Sequence, residues 1–170
     1  GLVGEGSQCF GFDDEISRDH DFEPGFCIFI PDEDKVDRRA EFLLERAYAK
    51  LPKEFMGLKR SIVSPVGGRR NGIIRTSEFY NAKVGCTDGM LTVQNLFEAT
   101  NGEIFFDNYG EFTEIRNRIL HMPEDVWLKR LAGNLLLMAQ SGQYNYSRCL
   151  SHGETGAAQL AITEFVNAAM

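Results

Sequence analysis

Residues 25–31, GFCIFIP, form a continuous apolar run that follows Pro24 and closes on Pro31. The run is too short for a free-standing helix, and it lacks the polar alternation of a half-exposed strand. It therefore predicts a strand buried on both faces. Ahead of it, Leu2 and Val3 begin a short apolar segment that ends in the turn Gly4-Glu5-Gly6-Ser7. Ser7 is placed to cap a short helical turn through Phe10, and residues 11–24 are polar and loop-like. Behind the run, Asp34 is placed to cap a helix. The apolar positions of that helix, Val36, Ala40, Leu43, Leu44, Ala47 and Leu51, repeat at helical spacing and stop at Pro52. Short β-branched stretches at 60–63 and 73–76, on either side of Gly67-Gly68, predict two further strands.

From about Met90 the texture is helical. Residues 91–100 predict a helix closed by Asn101-Gly102, followed by a strand-like piece at 103–106 and a turn at 107–110. Phe112, Ile115, Ile119 and Leu120 then share a helical face. Pro123 opens the next helix, in which Trp127, Leu131, Leu135 and Met138 form a stripe expected in the core. A last helix carries Ala158, Ala161, Ile162, Phe165 and Val166. The fold class is α+β: a small mixed-sheet domain over 1–89 and a helical bundle over 90–170. Both ends run through apolar sequence, so the first domain is expected to be trimmed at its start and the second incomplete at its end.

With 43% hydrophobic and 25% charged residues among 170, the composition is that of a globular chain. No apolar run approaches the roughly 18–20 residues of a membrane span. Cys9, Cys27, Cys86 and Cys149 are widely spaced with no C-x-x-C pair, which argues against a structural zinc site or a disulfide framework. The expected compartment is reducing and cytoplasmic, with Cys27 a small buried hydrophobe.

Charge is concentrated. Residues 1–37 carry eleven acids against two bases, while the rest of the chain is nearly balanced and the total is −7. Such a segment repels nucleic-acid phosphates and reads either as a divalent-cation site or as a solvated acidic loop, and its position favours the site. Within it, Gly6-Ser7 is followed after eleven residues by Asp19-His20-Asp21. On an extended segment, two carboxylates at i and i+2 point to the same side, giving two hard oxygen ligands for Mg²⁺ or Mn²⁺. A glycine turn lets backbone N–H groups approach a polyphosphate closely. A metal-clamped carboxylate pair beside such a turn is the machinery of phosphoryl or nucleotidyl transfer.

The segment GEGS…SRDHD resembles the signature of the nucleotidyltransferase superfamily with the polymerase-beta-like fold. The stretches FGFDDEISRDHDFEPGFCIF, ATNGEIFFDNYGEFTEIR and MAQSGQYNYSRCLSHGE resemble a domain-of-unknown-function family within that superfamily. The resemblance implies that Gly6 and Ser7 hold the triphosphate of an NTP and that Asp19 and Asp21 bind the metal. An NMP unit would then pass to a hydroxyl acceptor of unknown identity. His20 and Glu5 stand where the superfamily usually has apolar residues. The third carboxylate expected on a later strand is not evident, because Ile73-Ile74-Arg75-Thr76 carries no acid and Glu78 comes slightly late. This departure motivates an alternative, a nucleotide-binding or regulatory module with weak or no catalysis.

Lys59, Arg60, Arg69, Arg70 and Arg75 form the basic concentration of the chain. They read either as a phosphate-neutralising set, with Arg69 and Arg70 on the triphosphate, or as a solvated turn. Gln143, Tyr144, Tyr146 and Arg148 read either as a stacking surface for a base or sugar or as interhelix packing. A metal-dependent HD phosphohydrolase would need histidines beyond His121 and His152 in matching context, and the acids fail the calcium-loop spacing.

Overall fold

The computed structural model describes residues 1–15, 24–60, 71–85 and 92–170. It is an α+β structure that divides into two compact units, Gly1–Leu120 and His121–Met170.

The first unit contains α1 (Ser7–Phe10), β1 (Cys27–Ile30), α2 (Arg38–Ala49) and the hairpin β2 (Glu54–Phe55) and β3 (Leu58–Lys59). Then come β4 (Gly72–Arg75), α3 (Thr76–Val84), α4 (Val93–Thr100) and α5 (Glu111–Leu120). β1 is the strand that the run GFCIFIP predicts, and it pairs in parallel with β4, Cys27 opposite Gly72 and Ile30 opposite Arg75. Parallel pairing requires a long crossover, which the chain between them supplies with α2 and the hairpin.

The sheet is extended by residues 1–3. Gly1 and Cys27 exchange backbone hydrogen bonds of 2.8 and 3.1 Å, and Leu2 and Glu103 exchange two of 2.8 Å in an antiparallel bridge. Among the described residues, Glu103 is thus the one residue of the expected 103–106 strand that pairs. The core of the unit gathers Val3, Phe79, Tyr80, Ala99 and Phe112, with Phe29 and Ile74 packed against it. Cys27 is buried as expected, and burial pushes its thiol up to about 11. The sequence boundary at 89/90 follows the change of texture. The compact unit instead runs on through α5, whose Phe112 ring lies 5.7 Å from that of Phe79 and 5.0 Å from that of Tyr80.

Local caps differ in detail from expectation. α2 is capped by Asp37 rather than Asp34, its carboxylate accepting from the Ala40 N–H at 2.7 Å. The apolar stripe of α2 stays largely exposed at Phe42, Leu43 and Leu44. α3 was not legible in the sequence: it starts directly off β4 with no side-chain cap. α4 opens with a reciprocal capping box between Thr92 and Asn95. Of the expected strand at 60–63, residues 61–63 lie outside the described residues.

The second unit contains α6 (Glu124–Met138), a π-helical segment (Ala139–Tyr146), α7 (Ser147–Ser151) and α8 (Thr155–Ala169). Pro123 stands at the N-cap of α6. The π-helical segment seats Gly142 against the Phe165 ring of α8, where a Cβ would come within 2.6 Å of Cδ2. Ser141 is fully buried and donates to the Leu137 carbonyl at 2.6 Å. The stripe of α6 expected in the core is instead exposed, with Trp127 at 53% and Leu135 at 52%. A unit of fifty residues built on a few helices has too little interior to cover it.

Candidate functional site

Gly6 sits at the N-cap of α1 with φ 106° and ψ 146°, a conformation open to glycine and strained for residues with a Cβ. Its carbonyl accepts from the N–H groups of Cys9 (3.0 Å) and Phe10 (3.3 Å). Ser7 therefore does not cap the helix as expected, since Gly6 holds that position. The Ser7 hydroxyl instead donates to Asp13 Oδ1 at 2.9 Å on the surface.

Two anchors fix the turn. Asn101 clamps Gly4 from both sides, Oδ1 accepting from the Gly4 N–H at 2.8 Å and Nδ2 donating to the Gly4 carbonyl at 2.7 Å, both buried. Glu5 is ion-paired with Lys83 of α3 at 2.5 Å, and Lys83 bonds at 2.6 Å to Glu98 of α4, a buried carboxylate that also accepts from Gln94. Glu5, which departs from the superfamily pattern, thus ties the turn to two helices. Asn101→Ala removes both clamp bonds and leaves a buried donor and acceptor without partners. It is expected to cost about 2–4 kcal/mol, read as a lower urea midpoint at unchanged slope.

The same anchors make stability sensitive to acid. Burial pushes the Glu98 carboxyl upward, but the hydrogen bonds from Lys83 and Gln94 outweigh it and the net direction is down. Asp107 has the same net direction: burial raises it, but the bonds from the Thr113 hydroxyl and N–H and the Gly110 N–H outweigh burial and hold it below its ordinary value. A carboxyl held below its unfolded value, about 4, stabilises the fold above that pH. The contribution is lost as the pH falls through the folded value. Urea midpoints are therefore expected to fall steadily below about pH 4. Asp107→Asn is expected to flatten that fall, because its share no longer titrates.

Asp19, His20, Asp21, Arg69 and Arg70 lie outside the described residues. Among the described residues no group of three or more His, Cys, Asp or Glu side chains is arranged to hold a metal ion. Two members of the basic concentration have structural partners. Arg60 lies over the Tyr48 ring at 5.0 Å and donates to the Tyr48 and Leu51 carbonyls. Arg75, at the end of β4, is buried. It donates to the Pro31 and Val36 carbonyls at 3.0 and 3.2 Å and pairs with Glu41 at 2.5 Å.

Sequence reasoning missed a cavity of about 540 Å³ at the C-terminal ends of β1 and β4, lined by Asp32, Glu33, Glu41, Glu45, Glu78, Arg38, Phe42 and Arg75. Much of its charge is internally matched: Glu41 by Arg75, Glu33 by Arg38, while Asp32 accepts from Ser77. Its residues come from two stretches of chain, 32–45 and 75–78, that meet only through the pairing of β1 with β4, so no local spacing announces it. In the second unit, Gln143, Tyr144 and Tyr146 fall on the π-helical segment and Arg148 on α7, with the Tyr144 ring exposed.

Residues 89–170 match the family described as Domain of unknown function (DUF4037). No curated protein and no solved structure matches the chain. No helix among the described residues is long and apolar enough to cross a membrane.

Proposed function

We propose that the chain is a Mg²⁺-dependent nucleotidyltransferase that moves an NMP unit from an NTP to a hydroxyl acceptor. One observation carries the reading. The paired bonds between Gly1 and Cys27 set residues 1–3 antiparallel to β1. The Gly4–Ser7 turn therefore emerges at the end of the sheet where the chain enters β1, and Asp21 precedes Cys27 by six residues. The oxygen-only donors, Asp19 and Asp21 with the Ser7 and Asp13 oxygens at the turn, match the ligand chemistry of a hard divalent cation. Asp19 and Asp21 would hold it, and when bound it supplies charge neutralisation at the α-phosphate.

The chain's own part is to bind and orient. The Ser7 and Gln8 N–H groups, in the first turn of α1, would donate to phosphate oxygens. The Asn101 clamp and the Glu5–Lys83–Glu98 chain hold that turn still. The second reading, nucleotide binding without turnover, is favoured by Arg75: β4 ends in a buried, paired cation where a third carboxylate would activate the acceptor. Pyrophosphate release at saturating NTP and Mg²⁺ separates the two. Release lost with Asp19→Asn supports transfer, and metal-dependent binding with no release supports the binding module.

A further inference from the structure

Glu5 puts a carboxylate into the turn that, on the nucleotide reading, takes a triphosphate. The fold matches that charge with a single cation. Lys83 Nζ donates to Glu5 Oε1 at 2.5 Å and to Glu98 Oε2 at 2.6 Å, so one ammonium serves two carboxylates. Burial lowers the pKa of this ammonium, but its bonds to Glu5 and Glu98 outweigh burial and hold it above the ordinary value. Lys83 therefore stays charged at neutral pH. It lies outside the basic concentration of the sequence, whose members Arg60 and Arg75 spend donors on main-chain carbonyls.

The two carboxylates are not equivalent. The Glu98 side chain is 7% exposed, and its second oxygen accepts from Gln94 at 2.8 Å. Without Lys83 it becomes a buried charge with no cation, which is costly. The Glu5 side chain is 47% exposed and regains water when its pair opens, so that pair is the weaker of the two. The main chain on either side of Glu5 is fixed independently. Asn101 clamps Gly4, and the Gly6 carbonyl accepts from Cys9 and Phe10. The Glu5 side chain can leave while the turn keeps its place.

We propose that Lys83 is a triphosphate-binding residue and that Glu5 holds its place until nucleotide arrives. A phosphate oxygen replaces the Glu5 carboxylate on Lys83 Nζ, and Glu5 swings into water while Glu98 keeps its bond. The exchange trades one charge-assisted hydrogen bond for another and moves a like charge away from the incoming phosphates. This inference rests on the nucleotide reading and names a cation for that site.

The test titrates non-hydrolysable NTP analogues and inorganic tripolyphosphate, each with Mg²⁺, into the wild type and Glu5→Gln by calorimetry. Glu5→Gln leaves the Lys83–Glu98 pair in place. It is expected to bind both probes roughly fivefold more tightly, because an exposed ion pair no longer opposes the exchange. Lys83→Gln/Glu98→Gln removes the cation without stranding a buried charge. It is expected to bind roughly tenfold more weakly and to show no gain when Glu5→Gln is added. Wild-type binding that Glu5→Gln leaves unchanged or weakens would overturn the proposal and leave the nucleotide reading standing. So would an equal gain from Glu5→Gln in both backgrounds, the mark of repulsion through space rather than of a shared partner. Absence of binding by both the folded wild type and folded Glu5→Gln would overturn the nucleotide reading and this inference with it.

Discussion

Phe112→Ala is expected to destabilise the first unit by about 3–5 kcal/mol, the range for deleting a buried aromatic ring. The ring is the one that Phe29, Phe79 and Tyr80 share, at centroid separations of 4.3, 5.7 and 5.0 Å. Removing it opens a void bounded by three aromatic side chains that cannot collapse onto one another without moving β1 and α3. The Tyr80 hydroxyl bonds to the Phe112 backbone carbonyl, so that bond survives and the loss reports on packing. Against a typical domain stability of about 5–15 kcal/mol, the variant is left marginal. Urea unfolding checks it, and Phe106→Ala, an exposed ring, is the control expected within about 0.5 kcal/mol of wild type.

Arg75→Ala is expected to cost a similar amount, about 3–5 kcal/mol, for a different reason. The guanidinium bonds to two main-chain carbonyls, Pro31 and Val36, and to the Glu41 carboxylate. Its removal leaves the carbonyls without a donor and a half-buried carboxylate without its cation. Arg75→Lys does not restore the planar fork that reaches all three, so little rescue is expected. Adding Glu41→Gln to Arg75→Ala removes the stranded charge and is expected to recover part of the loss, a coupling visible in a double-mutant cycle. A triphosphate ligand would show the opposite balance, with nucleotide affinity falling while the unfolding midpoint held.

The readable features of this chain are its punctuated ones. Pro24 and Pro31 isolate β1, Pro123 opens α6, and the glycines of the first turn announce a break. α3 escaped notice because it begins on the last residue of a strand, with Arg75 at its N-cap and no capping side chain, and TSEFYNAKV has no clear amphipathic period. Helix α2 has two candidate caps three residues apart, Asp34 and Asp37, and local sequence does not rank them. What binds the turn is invisible for another reason: Asn101 reaches Gly4 across 97 residues, and Lys83 reaches Glu5 across 78. The unit boundary after Leu120 likewise depends on Phe112 meeting β1 and α3, a tertiary contact with no local signal. The α6 stripe carries the correct helical period, yet periodicity marks an apolar face and does not supply the partner that covers it.

The central claim is that the Gly6-Ser7 turn and the Asp19, Asp21 pair form one metal-dependent nucleotide site. Calorimetric titration of non-hydrolysable analogues of the four NTPs, with and without Mg²⁺, tests it most directly when Asp19→Asn/Asp21→Asn is run beside the wild type. Binding that requires Mg²⁺ in the wild type and disappears in the folded double variant is the predicted result. Binding that is unchanged in the double variant, or absent from the folded wild type for all four analogues, would contradict it.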